Sequence, residues 1–248
     1  MEQFNILRFR SIQSTNSYAM KHLHSLADRQ VVTAERQTRG HGRLGREWIS
    51  RNPRNVYMSI VLKPLISDAT AALGALTQYM SLTLCNLLLE YGVSASIKWP
   101  NDVRVKGAKI AGLLGEARFR GEELLGYVLG CGVNLNMSQD ELADVDQKAT
   151  SLNHLVGTTV DRDRFILSLL RFFFNGYDEF LQKGFLGIRE SYAAKCDFLD
   201  KRVVVKSGDG EYSGIATAFT DVGELVLRMP NGSRRVVRSG DAEALRYV

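Results

Sequence analysis

The chain has 248 residues and a formal net charge of +5, with 45% hydrophobic and 24% charged residues. This is ordinary globular composition on a length that suits a main domain with a small companion, so a disordered, collagenous or disulfide-stapled protein is excluded. No apolar run is long enough to span a bilayer and MEQFNILRFRS has no signal-peptide core, so a cytoplasmic protein without membrane association is expected.

Ile6 to Phe9 reads as a strand. Ser14-Thr15-Asn16 supplies caps for a helix running to about Leu26. Val31 to Ala34 is the next strand, and Gln37 to Ser50 is too rich in glycine and arginine to be anything but a long loop. Val56 to Leu62 is a β-branched run. Asp68 caps a single helix to Tyr91, with apolar residues recurring at three and four and Gly92 as the stop. Ala95 to Trp99 is a strand closed by Pro100, and Lys106-Gly107 turns the chain back. Lys109 to Phe119 and Leu124 to Leu135 form a hairpin through Arg120-Gly121-Glu122-Glu123. A further helix runs from Asp161 or Asp163 to Leu181. After Gly187 short strands and tight turns (Gly223-Glu224, Asn231-Gly232) recur about every ten residues.

The fold class expected is therefore α+β. Residues 1–190 form a main domain with a mixed, largely antiparallel sheet flanked by helices, and residues 191–248 form a small SH3-like β-barrel. No GxGxxG follows the first strand and no GxxxxGK[ST] occurs, which argues against a doubly wound nucleotide-binding domain. Cys85, Cys131 and Cys196 are far apart without metal-ligand spacing, and read as buried free thiols in a reducing compartment.

The positive charge is concentrated. Between Glu35 and Arg54 six arginines stand against two glutamates, so this stretch points at something anionic. Within it lies Gln37-Thr38-Arg39-Gly40-His41-Gly42-Arg43-Leu44-Gly45-Arg46-Glu47-Trp48. Its glycines let backbone N–H groups approach a ligand, its arginines suit phosphate, and Trp48 offers a flat face or an anchor. A second cluster is Lys98-Trp99-Pro100-Asn101-Asp102 followed by Lys109-Ile110-Ala111-Gly112. Here Lys109 suits a bridge between a carboxylate and a phosphate, Asn101 or Asp102 suits ligand orientation, and Asp102 suits Mg²⁺. Gly130-Cys131-Gly132-Val133-Asn134 is a third permissive segment.

Ser14-Thr15-Asn16, GHGRLGREW, KWPND, KIAG and GCGVNLN, in this order, resemble the motifs of the biotin–protein ligase family. The resemblance covers essentially the whole chain, with Gly240-Asp241 similar to the family's C-terminal domain. It implies biotin and ATP as substrates, with Mg²⁺, and a biotinyl-AMP intermediate. Ser14, Thr15 and Gln37 would contact the ureido ring of biotin, with loop backbone near Gly40 and His41. Arg43 would stabilise the adenylate, Arg46 would support the loop, and Trp48 would pack beside the nucleotide. Lys109 would meet the joining carboxylate and phosphate, and Asn134 would lie near the nucleotide. Asn16, Gly42, Lys98, Asn101 and Gly112 enter the binding set with their motifs, and Asp102 enters as metal ligand and candidate base. His41 departs from the arginine usual there.

The acceptor implied is a biotin carboxyl carrier domain of a biotin-dependent carboxylase, and an exposed sheet edge leaves a homodimer open. Some family members carry an N-terminal DNA-binding domain; only 13 residues precede Ser14, so no specific DNA binding is expected. Two other readings stay open at this point: a lipoate–protein ligase-like enzyme, and a basic nucleic-acid-binding protein.

Overall fold

The computed structural model describes residues 4–64, 69–145, 147–207, 210–238 and 240–244. In chain order the first part holds β1 (Ile6–Ile12), α1 (Thr15–Lys21), β2 (Val31–Gln37), β3 (Val56–Leu62), α2 (Ala69–Gly74) and α3 (Leu76–Glu90). Next come β4 (Ser96–Lys98), β5 (Asp102–Val105), β6 (Ala108–Arg120), β7 (Glu123–Val133), α4 (Gln139–Ala143), α5 (Leu152–Val156), α6 (Arg162–Lys183) and α7 (Arg189–Lys195). The strands form one seven-stranded sheet ordered β1-β2-β3-β7-β6-β5-β4. β1 and β2 are parallel because α1 carries the chain across between them; every other pair is antiparallel.

The two faces of this sheet are covered unequally. Alternation along β3 sends Val56, Met58, Ile60 and Leu62 into the main core with α3 and α6. Val61, with Val32 and Val128, turns the other way and meets Ala19 and Leu23 of the α1 segment in a small second core. α1 ends at Lys21, with His22 as its cap, so it is shorter than the helix expected to Leu26 and covers only part of that face. The uncovered remainder is where the site lies.

On the covered face α6 buries Phe165, Ile166, Leu169, Leu170, Phe173, Tyr177 and Phe180, spaced as one stripe of a helix. Asp161, not Asp163, is its cap, accepting from Arg164 N. The helix expected from Asp68 to Tyr91 is two helices, broken at Ala75 (φ −102°, ψ 6°); Asp68 lies outside the described residues. Periodicity alone did not reveal that break, because apolar residues continue through it.

The C-terminal part is antiparallel: β8 (Arg202–Ser207), β9 (Gly210–Phe219), β10 (Leu225–Arg228), β11 (Arg234–Val237) and β12 (Asp241–Ala244), ordered β11-β10-β9-β8-β12. It shares a core with the main sheet. Tyr192 of α7 packs edge-on against Phe185 and Phe219, and Phe219 also meets Phe198. The Gly223 carbonyl accepts from Gln78 Nε2 at 2.8 Å and from Trp99 Nε1 at 3.1 Å. The small sheet is thereby held against α3 and the end of β4.

Phe173 is fully buried between Tyr79 and Tyr177. Phe173→Ala is expected to cost about 3–5 kcal/mol of stability, read as a lower urea midpoint at unchanged slope.

Candidate active site

The uncovered face is floored by glycine. Tyr57, Gly132, Gly112 and Asp102 are successive partners across β3, β7, β6 and β5. A Cβ on Gly132 would lie 2.5 Å from Trp48 Cε2, and one on Gly112 would lie 2.9 Å from Trp48 Cζ3. The indole of Trp48 therefore occupies space that two side chains would otherwise fill.

The segment expected as an irregular loop is a narrow hairpin. Trp48 N donates to Gly40 O at 2.9 Å and Gly42 N to Arg46 O at 2.8 Å, and His41 pairs with Glu47. A side chain at Gly40 would strike Trp48 O at 2.5 Å, so glycine is required there. Gly40 thus shapes the loop and does not itself line the pocket. At the tip Leu44 has φ 57° and is 86% exposed, hanging over the pocket mouth without packing.

Hydrogen bonds join this roof to the start of α1. Gln37 Oε1 accepts from Thr15 N at 2.8 Å and from Thr15 Oγ1 at 3.2 Å, while Gln37 Nε2 donates to Ser50 Oγ at 2.9 Å. Ser50 Oγ donates to Trp48 O at 2.8 Å. Ser14 caps α1, accepting from Ser17 N. Asn16 is held by Ser59 and Glu116.

At the opposite end Lys109 Nζ lies 2.8 Å from Asp102 Oδ1 and 5.3 Å from the centroid of the Trp48 ring. Residues 148–150 run alongside, with Lys109 N donating to Lys148 O and Thr150 N to Lys109 O, both at 2.9 Å. Arg43 Nη1 donates to Asn101 Oδ1 at 3.3 Å and to Gly240 O at 3.0 Å, so the small domain touches the loop. Asn101 Nδ2 in turn donates to Leu113 O at 2.6 Å.

Two adjoining pockets result. One gathers Ser14, Thr15, Asn16 and Gln37 with His41, Gly42 and Arg43, and also Asn101, Asp102 and Gly112. The other contains Lys98 and Asn134 together with Arg51, Lys206 and Asp144. Arg46, Glu47, Trp48, Lys109 and Gln147 border both. The second pocket is rich in cations and suits a polyanion. The first is closed by hydrogen-bonding groups over an apolar floor that includes Cys131. Burial pushes the Cys131 thiol up to about 12 and the Tyr57 phenol up to about 12, so both stay neutral near pH 7 and neither is a nucleophile.

Sequence reasoning missed several contributors. Ser59 was legible as the one serine in the apolar run of β3, and Ser50 as the last residue of the loop. Gln147 carried no local signal, and Gly240 was read only as part of the C-terminal domain; the fold brings both here. The arginines that suggested a nucleic-acid surface instead include Arg43 and Arg46, which line the pockets. Among the described residues no three His, Cys, Asp or Glu side chains gather to hold a metal, and no helix is long and apolar enough to cross a membrane.

Comparison with known proteins agrees with this geometry. Residues 8–134 match the model of the Biotin/lipoate A/B protein ligase family, and residues 198–244 match that of the Biotin protein ligase C terminal domain. The chain is a member of the biotin/lipoate A/B protein ligase family and carries the C-terminal domain of its biotin branch. It is 33% identical over 234 residues to the biotin–[acetyl-CoA-carboxylase] ligase of Paracoccus denitrificans, covering 92% of this chain and 95% of that one. It is 30% identical over 240 residues to the bifunctional ligase/repressor BirA of Bacillus subtilis, covering 92% of this chain and 71% of that protein. The fold is shared with the biotin protein ligase of Aquifex aeolicus in complex with biotin and ATP, at TM-score 0.81 and 24% identity over 98% of this chain and 99% of that one.

Gly132→Ala is expected to displace the indole of Trp48 and change its fluorescence, in a Trp99→Phe background where Trp48 is the only tryptophan. Unchanged emission would show that the glycine floor does not seat the ring.

Proposed function

We infer that this chain is a biotin–protein ligase: it forms biotinyl-5′-AMP from biotin and ATP and transfers biotin to a lysine of a carboxylase carrier domain. The observation that carries the reading is the wall shared by the two pockets, where Lys109 sits between a compartment lined with amide and hydroxyl groups and a cationic one. That is the arrangement a carboxylate must meet when it approaches a triphosphate. The relatives named as biotin–[acetyl-CoA-carboxylase] ligases support both the chemistry and the carboxylase partner. A C-terminal model specific to biotin ligases favours biotin over lipoate.

The residues are assigned as follows. Ser14, Thr15, Asn16 and Gln37, with loop backbone at His41 and Gly42, take the ureido ring, while Gly40 shapes the loop behind them. The acyl chain runs along the first pocket toward Lys109. ATP occupies the cationic pocket, with Trp48 beside the nucleotide and Asn134, Lys98 and Arg46 around it. A carboxylate oxygen of biotin attacks the α-phosphorus, the bond to the bridging oxygen breaks, and pyrophosphate leaves with the electron pair. Charge gathers on the phosphoryl oxygens in that step, where Lys109 and Arg43 donate to it. The acceptor lysine, deprotonated from an ammonium with a reference pKa of about 10.4, then attacks the acyl carbon and AMP departs.

Asp102 acts by holding Lys109 in place, and it offers a carboxylate to take a proton from the attacking acceptor amine. It also offers one oxygen ligand to Mg²⁺. With no acidic cluster among the described residues, the other ligands would come from ATP phosphates and water. When bound, Mg²⁺ neutralises phosphate charge. Residues 1–190 are proposed as the catalytic domain and 191–248 as its support, joined through α7 and the Arg43–Gly240 contact. A reducing, cytoplasmic setting is supported by three free, buried thiols. The edge strand β1 supports a homodimer, and the arginines turned into the pockets support the absence of specific DNA binding.

Incubation with ATP, Mg²⁺, biotin and a carrier domain is expected to add the mass of one amide-linked biotin to the carrier, whereas lipoate in place of biotin adds nothing. No gain, or equal gain with lipoate, contradicts the assignment. His41→Arg is expected to slow dissociation of the adenylate severalfold, because arginine reaches farther into the pocket and stays charged; an unchanged rate counts against this role of position 41.

A further inference from the structure

Glu116 lies behind the residues that line the first pocket. Its Oε2 accepts from Asn16 Nδ2 at 2.8 Å and lies 3.9 Å from His41 Nε2, so one carboxylate oxygen faces both the first helix and the arginine loop. Asn16 is 4% exposed and rests over Ser59, Gly130 and Leu114, which are partners across β3, β7 and β6. A Cβ on Gly130 would lie 2.3 Å from Asn16 Oδ1, so Asn16 fits there only because position 130 has no side chain.

We propose that Glu116 is a positioning residue that fixes which groups of the biotin-ring pocket donate hydrogen bonds and which accept them. The inference rests on the functional reading above. An asparagine amide can present its oxygen or its NH2 in either direction, and its partners decide which. An ionised carboxylate only accepts. Glu116 therefore draws the Asn16 NH2 to itself, with Leu114 O taking the second N–H at 3.4 Å. Asn16 Oδ1 must then face Ser59, whose hydroxyl donates to it at 2.5 Å.

A hydroxyl has one proton. With that proton directed at Asn16, Ser59 Oγ is left as an acceptor toward Thr15 Oγ1, 2.8 Å away. The Thr15 hydroxyl then donates to Ser59 or to Gln37 Oε1, and it keeps lone pairs for an incoming N–H. Gln37 Oε1 already accepts from Thr15 N, which turns Gln37 Nε2 toward Ser50. The order set at Glu116 thus runs through Asn16 and Ser59 to the Thr15 hydroxyl, beside a Gln37 amide that the Thr15 backbone N–H orients on its own. A ureido ring carries one carbonyl acceptor flanked by two N–H donors. A pocket whose groups point the wrong way leaves buried polar atoms unpaired and rejects such a ring strongly.

The test varies biotin and ATP separately in pyrophosphate–ATP exchange. Glu116→Met removes the acceptor at similar length, Glu116→Gln restores an acceptor oxygen, and Asn16→Asp removes the donor at constant shape. Glu116→Met and Asn16→Asp are expected to raise the KM for biotin at least tenfold. In Glu116→Met the KM for ATP and the rate at saturating biotin stay within threefold, and Glu116→Gln stays within threefold of wild type throughout. A biotin KM within threefold of wild type in Glu116→Met or Asn16→Asp overturns the inference. So does an equal rise in both KM values that Glu116→Gln fails to rescue, since that is loss of structure alone. A wild-type enzyme with no biotin-dependent exchange overturns the functional reading itself; an active wild type with an indifferent Glu116→Met overturns this inference only.

Discussion

The ammonium of Lys109, 2.8 Å from Asp102 Oδ1 and standing over the Trp48 ring, is the point at which both pockets meet. Its two side chains are only 15% and 12% exposed. A pair buried to this degree is a poor stabiliser: desolvation offsets most of the attraction, and apolar replacements are often neutral or better, while loss of one partner costs roughly 3–5 kcal/mol. On the function proposed above its value is positional: it keeps a cation where water is scarce and where charge developing on a phosphate would be met without reorganisation.

That placement depends on what the sheet leaves out. Helices pack fully on one face, but α1 covers only part of the other. Gly112 and Gly132, partners on neighbouring strands, leave a hollow that the loop fills with Trp48. The ring divides the two compartments, and the hairpin from Gln37 to Ser50 roofs them. The small domain takes part through the Gly240 carbonyl on Arg43 and through Val204 and Lys206 at the second pocket. The two units share a core and both border the same pair of pockets.

Much of this was legible in the sequence because its causes are local. Glycine spacing, caps at Ser14 and Asp161, and the β-branched run of β3 mark elements directly, and the arginine loop and KWPND announce their chemistry by composition. Other features have causes distributed over the fold. β5 was hidden because four residues between two turns leave little pattern. The break at Ala75 was hidden because its neighbours are apolar on both sides. α7 was hidden at a presumed boundary, although Tyr192 is among the most buried residues of the chain. Ser59 lies eleven residues past Trp48 and Glu116 four past Gly112, outside every motif, yet the register of β3, β6 and β7 brings them to Asn16.

The central claim is that Lys109 stabilises the transfer of the carboxylate onto the α-phosphate. Biotin-dependent pyrophosphate–ATP exchange by Lys109→Met, with biotin binding measured alongside by calorimetry, tests it most directly. The account predicts exchange lowered by about 10²–10³ with biotin still bound. Exchange near the wild-type rate would contradict it.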